Sequence, residues 1–310
     1  MDGMQKKHNV PKGDIVLNIK KYEAFVRAVE LGSLSKASEE LGYTQSGISH
    51  MMQSLEDEVG FPLMVRTSAG IVPNNEGEML LPIIRQLLST NESLEQYIAK
   101  IKGADTGRIR IAAFPSVATY WLPHIIRRFL QDFPDVDIQL YEDTAESIEN
   151  IMAGRKADMC LYTGGLRQPF EWYPLWRDQV LALVPPDHPL TERDSVSVAD
   201  LRTEQIIMPT AGYEYAVDNI LSQLKQPRIS LTSTNDFAMI SMVVEGLGIA
   251  IMPELILRNY RNDAVAIPLD PPQYRTIGMG IPQVKTASPV TRNFMKYVQD
   301  YVRDLKQDKG

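Results

Sequence analysis

Seven side chains between Leu80 and Ile101 recur in steps of 4, 3, 4, 3, 4 and 3: Leu80, Ile84, Leu87, Asn91, Leu94, Ile98 and Ile101. A mean spacing of 3.5 residues keeps them on one helix face, the seam along which two helices wind together. The segment 76–103 that carries them would form a rod roughly 40 Å long, at about 1.5 Å per residue. Such a rod divides the chain into a short part before it and a long part after it. Three heptads without an apolar opposite face favour a partner helix over packing on the chain's own domain, so these seven residues are read as dimerisation positions. Asn91 would fix the register at some cost in stability. Pro82 removes one helical hydrogen bond and predicts a bend or a late helix start.

Ahead of the rod, residues 17–75 read as three helices and a hairpin. Ile19, Tyr22, Phe25, Val26 and Val29 step by three and four, the mark of an amphipathic helix. Gly32 ends it, Ser33 caps the next, and Leu34, Ala37 and Leu41 share a face there. Gly42 supplies a tight turn, and Thr44 caps a third helix whose inner face is Ile48, Met51, Met52, Leu55 and Val59. Three helices with a tight turn between the last two make a helix-turn-helix, whose final helix enters the major groove. Gln45, Ser46, Ser49, His50 and Gln53 face outward and can exchange hydrogen bonds with base edges. The acids Glu56, Asp57 and Glu58 wait until the far end. Gly47 lets the backbone approach closely, at up to ~1 kcal/mol in helix propensity. "FPLMVRTSAGIVPNN" reads as a hairpin wing that offers Arg66 to a phosphate. The plainer alternative is a small helical interaction domain with a solvated polar face. Residues 1–16 are expected to be a disordered tail.

The run Ala37-Ser38, Leu41, Thr44-Gln45-Ser46, Ile48-Ser49, Leu55-Glu56, Val59-Gly60, Leu63 and Arg66 resembles the winged helix-turn-helix of LysR-type transcriptional regulators. Lys36 stands where an alanine is usual, Met64 where phenylalanine is common, and His50 where relatives often carry arginine. The resemblance implies a DNA-contacting set of Ser33, Ser35, Lys36, Thr44, Gln45, Ser46, Ser49, His50, Gln53 and Arg66. It also implies that the linker helix makes the dimer.

From Arg108 onward the apolar period alternates between two and 3.6. "RIRIAAF", then Leu122, Ile125, Ile126, Phe129 and Leu130, then Val136, Ile138 and Leu140, then Ile148, Ile151 and Met152, then "ADMCLY" give a βαβαβ series. "VLALVPP", "QIIMP", "RISLTS" and "IAIMP" repeat the scheme around two more helices, so parallel sheets covered by helices are expected. Several strands end in polar turns: Ser116 and Thr119, Asp143-Thr144, Thr210-Ala211-Gly212 and Thr234-Asn235. Each hydroxyl taken singly is as well read as a helix cap. Ligands of open parallel sheets sit beyond the strands' carboxyl ends, where helix N-termini favour an anion. A small anion or a carboxylate-bearing metabolite is the guest this pattern points to.

"FEWYPLWRDQVLALVPPDHPL" and "VVEGLGIAIMPE" resemble the effector-binding domain of the same family, which is similar to periplasmic binding proteins. That likeness implies an effector domain over 104–310, with lobe I at 108–168 and 274–310 and lobe II at 169–273. Trp121, Phe237 and the 162–166 segment would line or flank the cleft. Effector-binding positions are accordingly placed at Ser116, Val117, Thr119, Thr144, Thr163, Gly164, Pro209, Thr210, Thr234, Asn235 and Phe237.

An enzyme is disfavoured. The four histidines His8, His50, His124 and His188 show no metal-ligand spacing, and no P-loop or nucleophile elbow occurs. "EGLGIA" follows a helix and precedes a strand, the reverse of a dinucleotide fingerprint. The single Cys160 excludes an intramolecular disulfide and lies in an apolar run, where a buried small hydrophobe is expected. No stretch reaches the ~18 apolar residues of a membrane helix, and no secretory signal is visible. A secreted solute-binding protein would leave residues 17–102 unexplained. The expectation is an α/β protein: a winged helix-turn-helix, a long linker helix and a two-lobed periplasmic-binding-protein-like effector domain. It would be a cytoplasmic transcriptional regulator without cofactor or metal. Its partners would be promoter DNA, a small-molecule effector, its own copies in a dimer or tetramer and, by the family, RNA polymerase.

Overall fold

The computed structural model describes residues 18–68, 70–164, 170–210, 214–224, 227–258 and 264–307. The expected tail 1–16 lies outside these residues, as do Gly165, Leu166, Ala211 and Gly212. Two compact units divide the chain between Glu92 and Ser93.

The first unit holds helices α1 (Ile19–Glu30), α2 (Leu34–Leu41) and α3 (Gln45–Val59), then strands β1 (Met64–Thr67) and β2 (Gly70–Pro73). Each helix starts on a side-chain cap: Asn18, Ser33 and Thr44 accept from backbone amides two or three residues on. Such caps are worth ~1 kcal/mol each. Gly42, in the left-handed region at φ 71°, turns the chain from α2 into α3. Phe25, Ile48, Leu55 and Leu63 are fully buried in one core. The hairpin pairs Arg66 with Ile71 and is tied back to the α1–α2 turn, where the Ile71 amide donates to the Gly32 carbonyl at 2.8 Å. A Cβ on Gly70, at φ 114°, would lie 2.4 Å from that carbonyl oxygen, so only glycine fits this contact.

Helix α4 (Asn75–Ile101) runs through Pro82, so the late start expected there does not occur. Asn74 caps it by accepting from the Gly77 amide at 2.8 Å. The seam read from the sequence divides in two. Ile84 is only 5% exposed and joins Leu81 in the core of the first unit, with Leu80 and Leu87 partly buried beside them. Leu80, Ile84 and Leu87 are core positions, because the α4 face they share is turned onto the unit's own helices. Leu94, Ile98 and Ile101 do stand exposed, and so do Met79 and Ile83 nearer the start of the helix.

The second unit is built on one nine-stranded sheet. In chain order its elements are β3 (Gly107–Ala113), α5 (Pro115–Tyr120), α6 (Leu122–Asp132), β4 (Val136–Glu142), α7 (Ala145–Ala153), β5 (Met159–Thr163), β6 (Glu171–Val184) and β7 (Val196–Ser197). There follow β8 (Gln205–Pro209), α8 (Tyr215–Leu221), β9 (Arg228–Ser233), α9 (Asp236–Val244), β10 (Ile249–Pro253), α10 (Glu254–Leu257), β11 (Val265–Ile281) and α11 (Pro289–Gln307). The order across the sheet is β4-β3-β5-β11-β6-β10-β8-β9, with the short β7 paired to β11 beside this path. β3, β4 and β5 are parallel, as are β8, β9 and β10, whereas β6 and β11 run antiparallel to each other and to their outer neighbours. Two parallel groups are thus joined by two long strands. Trp121, Phe129 and Phe294 centre the core of the first group, and separate apolar clusters fill the second. The lobe boundary expected at 273/274 falls inside β11.

Candidate functional site

On the first unit, Gln45, Ser46, His50 and Gln53 are exposed on the N-terminal half of α3, with Ser49 half-buried among them. The Thr44 hydroxyl accepts from the Gly47 amide at 3.1 Å and lies 3.2 Å from the Ser46 hydroxyl, so it is committed to the cap. A Cβ at Gly47 would sit 3.1 Å from that same oxygen, which gives the glycine a structural reason beside the expected one. Ser33 is likewise a cap, accepting from the Lys36 amide at 3.3 Å. Ser35 is half-buried and Lys36 exposed on α2. Gln53 donates to Asp57 at 2.9 Å, which brings an acid a turn nearer the polar face than the sequence pattern implies.

The basic groups of this unit divide by role. Lys21, Arg27 and Arg85 are held by Glu58, Glu30 and Glu40. Among the described residues Lys20 on α1, Lys36 on α2, His50 on α3 and the exposed wing residue Arg66 are engaged by no acid. Lys36, His50 and Arg66 lie on α2, α3 and the β1–β2 hairpin.

The second unit gathers some of the expected ligand positions and disperses others. Ser116, Thr119, Thr234, Asn235 and Phe237 line one cavity of about 70 Å³ between α5 and the β9–α9 turn. Tyr120, Glu142 and Asp236 complete its chemistry, and the sequence reading missed all three. Val117 is no ligand group: its side chain is fully buried in the core and its amide donates to the Phe114 carbonyl at 2.9 Å. Trp121 is also core, edge-on to Trp176. Thr144 caps α7 by accepting from the Ser147 amide at 3.2 Å. Pro209 is buried in β8, Thr210 is exposed beyond it and Gly164 is half-buried after β5; none of these three lines the cavity.

Behind the cavity lies a buried ionic cluster. Arg275 on β11 faces Asp178 directly across on β6. Its Nε donates to Asp178 at 2.9 Å, Nη1 to Glu214 at 2.7 Å and Nη2 to the Ser116 hydroxyl at 2.8 Å. Thr163 donates to Glu214 at 3.0 Å, and the Leu255 amide donates to Asp178 at 3.1 Å. Every side chain named here is at most 4% exposed. Burial alone would depress the guanidinium, but the two carboxylates outweigh it and leave its pKa raised. Burial pushes the Asp178 carboxyl up, against the pull of Arg275. One cation among two acids leaves a formal charge of −1. Ser116 and Thr163, expected as open cleft hydroxyls, are thus bound to the protein's own charged groups.

Residues 19–78 match the family described as bacterial regulatory helix-turn-helix protein, lysR family, and residues 102–303 match the LysR substrate binding domain. The chain belongs to the LysR family. It is a LysR-type DNA-binding transcriptional regulator with an effector-binding domain. Among LysR relatives, the probable HTH-type transcriptional regulator LrrA of Synechococcus elongatus is 30% identical over 86% of this chain and 90% of its own. A full-length OxyR variant from Pseudomonas aeruginosa has the same fold, with a TM-score of 0.76 at 18% identity over 93% of this chain and 95% of that one. Full-length CbnR, solved in complex with its target DNA, superposes with a TM-score of 0.62 at 20% identity over 92% and 100%.

The LysR-type effector domain hid its ionic cluster from a reading of local pattern. Asp178 and Arg275 are 97 residues apart, and Glu214 and Arg275 are 61 apart. The one available signal was a charged residue inside each of two apolar strand runs.

Proposed function

We propose that this regulator reads promoter DNA with the exposed half of α3 and responds to a small molecule held in the cavity between α5 and the β9–α9 turn. The observation that carries the first part is the arrangement of the polar face. Gln45, Ser46, His50 and Gln53 stand exposed, and Glu56 is the first acid along the helix. On α2 and the wing, Lys36 and Arg66 are cations that no acid among the described residues engages. Base edges accept such neutral donor–acceptor groups, while the flanking cations position the unit on phosphates. CbnR, of like fold, was solved in complex with its target DNA, which is in keeping with DNA as the partner here.

The domain division 17–75, 76–103 and 104–310 is retained as the working one. Leu94, Ile98 and Ile101, with Met79 and Ile83, form the contact between copies in a dimer or tetramer, and Asn91 sets its register. The molecule acts as a regulator rather than an enzyme, in the cytoplasm, with RNA polymerase as its downstream contact. Among the described residues no helix is long and apolar enough to cross a membrane.

Fluorescence anisotropy with DNA from upstream of the gene tests this reading. Gln45→Ala with Ser49→Ala should weaken specific binding by ~1–3 kcal/mol for each base that is no longer read, leaving non-specific binding in place. An unaltered sequence preference would remove α3 from the groove.

A further inference from the structure

We infer that the effector-domain cavity selects a cationic ligand, one that carries an ammonium or guanidinium group. The inference rests on reading this cavity as the effector site and adds the ligand's charge. Both charged residues among its described lining, Glu142 and Asp236, are acids. The cation nearest by hydrogen bonding, Arg275, reaches the Ser116 hydroxyl from behind and is spent on Asp178 and Glu214. The wall behind the cavity therefore carries a net negative formal charge. The end of α9 does not restore a positive one. The Asn235 side chain caps α9 by accepting from the Ala238 amide at 3.0 Å, and Asp236 occupies the first turn, where an acid offsets the dipole.

The rest of the lining suits a cation as well. Tyr120 and Phe237 bring two aromatic rings, and ring faces attract ammonium and guanidinium groups. Tyr120 is pinned by donating its hydroxyl to the Ile256 carbonyl at 3.1 Å. Phe237 stands 43% exposed at the mouth. A volume of about 70 Å³ has room for about two waters, enough for a charged head whose apolar body rests on Phe237. A carboxylate head of the same size would meet acids in the wall and behind it.

Three probes of one shape and different charge decide the matter: benzylammonium, benzyl alcohol and benzoate. They are titrated into the full-length protein by isothermal calorimetry and followed by thermal shift. Benzylammonium should bind at least tenfold tighter than benzoate, with the alcohol between them. Glu142→Gln, at an exposed position, should cut benzylammonium affinity about fivefold and leave the alcohol unchanged. Asp236→Asn should do the same, and the double variant should lose the charge preference. Benzoate binding as tightly as benzylammonium, a preference that survives both substitutions, or no binding by any probe would overturn the charge assignment. Failure of the site reading shows itself differently: binding of any probe that ignores Phe237→Ala and Thr119→Ala would lie outside the cavity.

Discussion

Arg275 is the side chain on which the buried charges of the effector domain depend. It satisfies two buried carboxylates and a buried hydroxyl. Removing one partner of a buried pair costs ~3–5 kcal/mol, because the other charge is left without compensation. Arg275→Ala should therefore lower the unfolding free energy by about that much in urea titration, and Glu214→Gln, which keeps the shape, by clearly less. The same cluster carries a pH signature. A carboxyl raised by burial, as Asp178 is, binds its proton more tightly folded than unfolded. Its contribution to stability is thus full below the unfolded value of 3.8 and lost as pH rises through the folded one. Asp178→Asn removes this falling component, so the variant's stability should climb more steeply with pH above 3.8 than the parent's. A parallel or shallower climb would contradict the assignment. Cys160 shows the opposite kind of residue: burial pushes its thiol far up, so it packs as the small hydrophobe the sequence suggested.

Helix α4 shows what periodicity can and cannot tell. The steps of 4 and 3 place one row of side chains correctly on one face, but a repeat does not say whether that face meets its own unit or another copy. Two substitutions separate the cases. Ile84→Ala opens a cavity in the first unit and should destabilise it by ~2–5 kcal/mol, with no change in the oligomer's dissociation constant. Ile101→Asp, at a position 85% exposed, should leave unfolding unchanged and raise that constant at least ~100-fold in analytical ultracentrifugation, as a charge buried in an interface demands. The parallel strands were legible from their apolar runs and polar turns. β11 was not, because Pro268, Pro271 and Pro272 interrupt it, and proline cannot donate to a ladder. The strand survives because its register against β6 shifts between Pro268 and Gln273. Of the expected ligand positions, those on the α5 and β9–α9 turns met in one cavity except Val117, which is core. Thr144 went to capping, and Ser116 and Thr163 to a cluster whose members lie far apart in the chain.

The protein carries a formal charge of −7 and yet belongs to a DNA-binding family. Its attraction to the duplex must come from a few local cations, which has a measurable consequence. If Lys36 and Arg66 each meet one phosphate, as proposed, a dimer makes about four such contacts and should show a slope near −4 in log affinity against log salt. Arg66→Ala should reduce that slope by about 2 without altering sequence preference, read by anisotropy across a salt series. A slope of about −8 or steeper would demand contacts beyond α2, α3 and the wing. The effector domain, for its part, is stitched at the place where its two parallel groups meet. Ser116 and Thr163 come from the first group, Glu214 and Leu255 from the second, and all converge on the Arg275–Asp178 pair of the two long strands. Moving one half against the other would strain this rivet. A ligand that drew the two parallel groups apart would first have to break these buried hydrogen bonds.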